Sequence, residues 1–328
     1  SLHTNRFEIN IEKRAQLPIT ILKQPETLSD GREERGVFIC GDSVIDDIVR
    51  YAPKIKKRWF IVTTTQSHVV PISPNPDLHI FSNCDGKAEY LASTARDVPF
   101  LNVGDGGDFV NPDIFYPNEK FPKYIDSIYV AKWSDTKRVE LFIQAAKILP
   151  HRKFVFVAIP MSSERKKAKS LEYRDAILHY VKEHRINNIK LIETDEKSHL
   201  NPDGSLVPGN LSKDEMRLLF QSTKSIVLTA DKMEGINRSV AECLCCDVPV
   251  VMTIDVVGGS PYVVNAETGV LVDPNDTAVA SGIEHVINNK HQFHPRKNFL
   301  KTRGIYNANR DLQSAIAKIS KLQNYSSI

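Results

Sequence analysis

Two glutamates eight residues apart bracket a glycine turn and a helical run in Glu234-Gly235-Ile236-Asn237-Arg238-Ser239-Val240-Ala241-Glu242. Carboxylates accept hydrogen bonds from hydroxyl groups, so this spacing suits a sugar at one end and a ribose diol further in. The sequence predicts a helix from near Ile236, placing Glu234 before its N-terminus and Glu242 almost two turns along. Free N–H groups at a helix start attract anions, and Gly235 lets a ligand approach the backbone closely. A helix cap followed by a solvated glutamate is the simpler alternative for the same two residues. A second group lies in Lys132-Trp133-Ser134-Asp135-Thr136-Lys137-Arg138, a basic loop after an apolar run. Lysines placed there can hold an anionic ligand through charge-assisted hydrogen bonds. A solvated basic turn is again the alternative. No Asp-x-Asp triplet, a carboxylate pair that could hold a metal ion, occurs in the chain.

The elements that must carry these residues are short, β-rich apolar runs alternating with helical stretches. Strands are predicted at Ile19–Leu22, Val37–Cys40, Trp59–Thr63, Leu78–Phe81 and Phe100–Val103, then Ser127–Val130, Phe154–Ile159, Ile189–Ile192, Ser225–Leu228, Val248–Met252 and Gly269–Val272. Near-continuous apolar strands fit parallel sheets covered by helices on both faces. Among the helices, Val139–Ile148 would turn Leu141, Ala145 and Ile148 to the core, and Leu171–His184 would turn Leu171, Ala176, Ile177 and Tyr180. This is the signature of α/β doubly wound domains. The turn-rich stretch Asn118–Lys123 marks a boundary, giving domains at 1–125 and 126–304 and a C-terminal helix within 305–328.

The composition fits that organisation and excludes several classes. In 328 residues, 43 Lys+Arg face 40 Asp+Glu, a net charge of +3, which offers no general field for nucleic acid. No apolar stretch approaches the ~20 residues of a membrane span. The five cysteines lack metal-binding spacing and read as buried thiols of a cytoplasmic protein. Lys54-Ile55-Lys56-Lys57-Arg58-Trp59-Phe60 mixes basic and aromatic residues, so it reads either as a peripheral contact with an anionic membrane or as a helix end feeding a strand.

Four segments together resemble retaining glycosyltransferases of the GT-B fold, specifically glycosyltransferase family 4. Glu234 to Glu242 resembles that family's Glu-x7-Glu motif, and Tyr129 to Leu141 its strand–basic loop–helix entry to the donor domain. Gly209-Asn210-Leu211-Ser212-Lys213-Asp214-Glu215 through Asp231 resembles the segment before the motif, and Glu267 to Pro274 its closing hairpin-like signature. Asp105-Gly106-Gly107-Asp108 with Phe115-Tyr116-Pro117 resembles the end of the family's first domain. Lys132 stands where arginine is more usual, Asn237-Arg238 replaces an apolar pair, and the Gly-Gly loop that opens the acceptor domain is missing.

The resemblance implies two Rossmann-like doubly wound domains facing a central cleft, and metal-independent transfer with retention from a UDP- or GDP-linked sugar, without a cofactor. The acceptor, a glycan, a lipid-linked molecule or a small molecule, is not given. Lys132 and Lys137 would neutralise the diphosphate, Glu234 would contact the donor sugar, and Glu242 the ribose. Backbone N–H groups of Gly235, Ile236 and Asn237 would lie near sugar and phosphate, with Arg138 as a third basic contact and His68 as a sugar contact from the first domain. The loops Ile159–Ser163 and Thr194–Asn210 would meet the base. The rival readings are a catalytically silent GT-B binding protein and a GT-B-fold sugar-nucleotide epimerase; the latter needs acid/base residues that the first half does not display.

Overall fold

The computed structural model describes residues 19–64, 73–80, 98–101, 103, 106–159, 164–194, 199–200, 206–207, 211–231, 234–258 and 260–325. Internal contacts divide the chain into two units, Ser1–Asp105 with Ala308–Ile328, and Gly106–Asn307. The division falls upstream of the boundary read from the turns near Asn118. Val110 and Phe115 are buried in the second unit's core, and Gln221 and Arg296 hold the carbonyls of Tyr116 and Phe115.

In the first unit β1 (Ile19–Lys23), β2 (Gly36–Gly41), β3 (Trp59–Thr64), β4 (Leu78–Ile80) and β5 (Phe100–Leu101) lie in that order across a five-stranded sheet, beside a short antiparallel pair of Glu26–Thr27 with Glu33–Glu34. β2 to β5 are parallel, whereas β1 pairs antiparallel with β2. Its alternation of half-buried and exposed residues suits an edge strand with one wet face, a departure from the all-parallel expectation. Helix α1 (Asp42–Tyr51) packs Ile45 and Ile48 against Phe38, Trp59 and Ile61. Trp59 and Phe60 are buried in β3, so the membrane reading of Lys54–Phe60 loses its aromatic half; Lys54, Lys57 and Arg58 alone stay exposed.

The second unit carries β6 (Ser127–Lys132), β7 (Phe154–Ile159), β8 (Ile189–Glu193), β9 (Ile226–Leu228), β10 (Val250–Thr253) and β11 (Gly269–Val272). They form a six-stranded parallel sheet in the order β8-β7-β6-β9-β10-β11. β11 therefore joins β10 in parallel; it does not close a hairpin. Helices α2 (Val139–Ile148), α3 (Glu164–Glu183), α4 (Lys213–Gln221), α5 (Arg238–Cys245), α6 (Asp276–Asn288) and α7 (Pro295–Thr302) accompany them, and α8 (Ile305–Tyr325) runs from Ala308 onward in the first unit. Ser212 and Glu215 start α4 with a reciprocal capping box. Asn275 starts α6 by accepting from Ala278 N at 2.8 Å.

Two helix faces differ from expectation. α2 buries Val139, Phe142, Ile143 and Ala146, the i, i+3, i+4, i+7 stripe, with Ala145 beside them, while Ile148 is exposed. In α3, Ile177 is buried but Leu171 is exposed. Both helices offer apolar residues on more than one side, and the sheet's position selects the face. The core of this unit includes Tyr129, Phe142, Phe154 and Phe156, whose rings meet at 5.3 to 5.9 Å between centroids. No described helix is long and apolar enough to cross a membrane.

Candidate functional site

In the second sheet the connection from β8 to β9 returns past β6, so chain direction across the sheet reverses between β6 and β9. Ligands of open parallel sheets bind beyond the carboxyl ends of the strands at such a reversal, because the flanking loops diverge there. The loop after β6 carries Lys132, Lys137 and Arg138, and the loop after β9 leads to Glu234 and α5.

The first loop makes a tight turn at Asp135–Lys137, closed by Lys137 N donating to Ser134 O at 2.9 Å. Asp135 accepts from Thr136 N at 2.9 Å and pairs with Lys169 at 2.8 Å. The Lys137 carbonyl accepts from Tyr129 OH at 2.6 Å and Thr229 Oγ1 at 2.9 Å. Burial holds the Tyr129 phenol up at about 12, so it is a permanent donor. With its backbone fixed on both sides, Lys137 sends its ammonium into an ion pair with Glu234. Burial, then the charge of Lys132, lowers the Lys137 pKa to about 8, with Asp231 opposing. The Glu234 carboxylate is the ion-pair partner that the ammonium meets. Lys132 itself is exposed at the end of β6.

The second loop is braced from β10. Glu234 N donates to Val257 O at 2.7 Å, and Glu234 bridges Gly258. Gly258 has φ +121, and a Cβ there would stand 2.0 Å from the Glu234 carbonyl, so both conformation and space require glycine. Ser260 Oγ donates to Gly235 O at 2.8 Å and accepts from Asn237 N at 3.1 Å. Ile236 is buried against Gly107, where a Cβ would meet its side chain at 2.1 Å. The helix begins at Arg238, two residues later than predicted. Asn237 caps it, its side chain accepting from Val240 N at 3.1 Å. The Asn237 N–H expected near a ligand is thus engaged by Ser260, while Gly235 is exposed.

Glu242 sits in the second turn of α5 with 9% exposure, and its carboxyl has no hydrogen-bond partner among the described residues. Burial raises its pKa to about 7, with Arg238 and Lys213 opposing. Burial disfavours its charged form, and a hydrogen-bond donor on a ligand would stabilise it. Behind it, Cys243, Cys245 and Cys246 are buried free thiols whose ionisation burial suppresses, Cys245 and Cys246 reaching about 12.

The structure corrects the expectation for Arg138. Its guanidinium points inward, donating to the carbonyls of Thr229 (2.5 Å) and Ala230 (3.0 Å), to Thr253 Oγ1 (3.0 Å) and to both oxygens of Asp255 (2.7 and 2.8 Å). It does not present a ligand contact. His68 lies outside the described residues, as do Asp105 and most of the loops 159–163 and 194–210. Sequence reasoning missed Tyr129, Thr229, Asp255, Gly258 and Ser260. The turn-forming run Gly258-Gly259-Ser260-Pro261 was a usable signal for the last two; the others carry none.

The model of glycosyl transferases group 1 matches residues 111–303, which include all of these described side chains. Comparison with curated protein sequences gives no match. Among solved structures, a glycosyltransferase from Rickettsia africae ESF-5 is 14% identical with a TM-score of 0.66, covering 97% of this chain and 80% of that one. Anabaena Alr3699/HepE in complex with UDP and glucose is 12% identical with a TM-score of 0.65, covering 86% and 78%. Sucrose-phosphate synthase from Thermosynechococcus elongatus is 15% identical with a TM-score of 0.57, covering 86% and 72%. The shared architecture is the GT-B fold, two Rossmann-like domains with parallel sheets.

Proposed function

The chain belongs to the glycosyl transferases group 1 family, and from that premise we propose that it moves a sugar from a nucleoside-diphosphate donor, UDP- or GDP-linked, to an acceptor hydroxyl. The observation that carries the reading is the meeting of Lys137 with Glu234 at the strand-order reversal, with the nearly buried Glu242 in the second turn of the helix that follows. Each group has a task that its surroundings suit. Lys137, positively charged and partly buried, takes over the negative charge that the leaving diphosphate gains as the glycosidic bond stretches. Lys132 adds a second, solvated charge. Glu234, released from Lys137 by the phosphate, accepts from the sugar's hydroxyls, and Glu242 from the ribose. Two bound UDP complexes among the structural neighbours, Alr3699/HepE with UDP and with UDP-glucose, make UDP the first nucleotide to try.

The finer reading is a family 4 enzyme working with retention and without a metal. The acceptor attacks from the face the diphosphate leaves, and the departing phosphate oxygen takes the acceptor's proton. Such a reaction asks no separate carboxylate base of the protein. The acceptor is a glycan, a lipid-linked molecule or a small molecule, and the buried free thiols support a cytoplasmic setting.

Thermal unfolding with UDP, GDP and ADP tests the reading. A nucleotide at a hundred times its Kd adds about 2.7 kcal/mol to stability; no shift with any of the three overturns it. Lys137→Ala is expected to lower kcat by about 10²–10³ with a matching sugar nucleotide. Hydrolysis of that donor without acceptor distinguishes an active transferase from a silent binding protein.

A further inference from the structure

We propose that Arg138 is the positioning residue of the donor site, a clamp that sets where Lys137 and Glu234 stand relative to each other. The inference rests on the donor-site reading above and adds a residue that touches no substrate. Three loops build that site, from the ends of β6, β9 and β10, and one guanidinium joins all three. Its own backbone ends the Lys137 turn. Its donors reach the Thr229 and Ala230 carbonyls, where the chain leaves β9 toward Glu234. They also reach Thr253 and Asp255, where it leaves β10 toward the Val257–Ser260 brace of Glu234 and Gly235. Thr229 closes the circuit, its hydroxyl lying 2.9 Å from Lys137 O and 3.1 Å from Arg138 O.

Two further facts separate this from an ordinary ion pair. Arg138 holds a left-handed backbone, φ 47 and ψ 50, which is uncommon for a residue other than glycine. The forked, planar guanidinium can hold a bidentate carboxylate and two carbonyls at once, which a lysine ammonium cannot. The partners lie 91 to 117 residues away in sequence, so the clamp ties together strand ends that no local interaction relates. Without it, the Lys137 turn keeps its bonds to Tyr129 and Thr229 but loses its tie to the β10 loop.

Calorimetric titration with UDP, with GDP and ADP in parallel, tests the clamp alongside uridine, guanosine and adenosine. The chains are wild type, Arg138→Gly, Asp255→Asn, Lys137→Ala and the double variant K137A/R138G. Glycine tolerates the left-handed backbone, so R138G removes the fork without adding strain. The expected result is a diphosphate affinity about tenfold weaker in R138G, with nucleoside affinity held within about twofold. In the K137A background the same change should add less than about twofold, because Arg138 acts through Lys137. Asp255→Asn should move affinity in the same direction, and it is the deciding variant should R138G fail to fold. Wild-type affinity in the folded variant, equal losses for nucleoside and diphosphate, or an undiminished loss in the K137A background would each overturn the clamp. A wild-type chain that binds no diphosphate overturns the donor-site reading and this inference with it, whereas failure of the variant pattern alone leaves that reading standing.

Discussion

In the second sheet, the first strand of the unit, β6, lies in the middle, and the chain builds outward from it on both sides. In the first sheet, β2 to β5 follow one another across the sheet in sequence order, with β1 added antiparallel at the edge. Both sheets arise from the same strand–helix alternation, yet they offer different openings. Where the order reverses, the loops after β6 and β9 part, and the side chains on them converge on the gap. Among the described strands of the first sheet no reversal occurs. Its buried polar groups instead serve the fold: Asp77 accepts from Ile61 N at 2.8 Å, and the His79 ring lies 2.7 Å from Thr63 Oγ1 and 3.0 Å from Ser73 O. Strand order, more than strand composition, decides where chemistry can sit.

That contrast can be broken by substitution. The largest expected effect is on the first sheet: Trp59→Ala, which empties the site of a fully buried ring stacked edge-on to Phe38, should cost about 3–5 kcal/mol in denaturant unfolding. Nucleotide affinity of the folded fraction should not change, and a parallel loss would erase the distinction between the sheets.

Next comes Glu242→Gln, where function and stability should separate. The wild-type carboxyl is raised from 4.5 to about 7, so between those values the folded state holds a proton that the unfolded state has lost. Its stability contribution therefore falls as pH rises from about 4.5 to about 7 and stays low above that. Removing the charge should stabilise the chain by about 3 kcal/mol at pH 8, with the gain vanishing below about pH 4.5, while nucleotide affinity drops. Unfolding curves at pH 5 and pH 8 check the sign; equal differences at both would show that the carboxyl does not titrate in this range.

The smallest effect is expected at Ser260→Ala, which removes the hydroxyl joining Gly235 to Asn237. Stability should fall by about 1 kcal/mol, whereas kcat/KM with a sugar nucleotide should fall further, because the turn just after Glu234 loses the hydroxyl that ties Gly235 to Asn237. Proportionate losses would mean the hydroxyl supports the fold alone.

Much of the scaffold was legible locally. β7 and β11 run over the same residues that their apolar patterns mark, Phe154–Ile159 and Gly269–Val272, and α2 spans Val139–Ile148 as its periodicity predicts. Other features were hidden because a neighbour decides them. α2 buries Phe142 and Ile143 and leaves Ile148 exposed, since the sheet lies on that side. α5 starts at Arg238, not Ile236, and Ile236 lies instead against Gly107.

For the site the division is sharper. Residue type and spacing made Glu234 and Glu242 candidates for binding hydroxyls, because hydrogen-bonding capacity belongs to the side chain; it was the resemblance to a family that set them, with Lys132 and Lys137, above a helix cap and a solvated basic turn. Whether Arg138 faces a ligand or the protein interior could not be read that way. Its partners Thr229 and Asp255 become neighbours only once β6, β9 and β10 lie side by side. Sequence determined which groups were available and how each element repeats; tertiary structure decided their company, because pairing between distant strand ends is set by strand order and by no local preference.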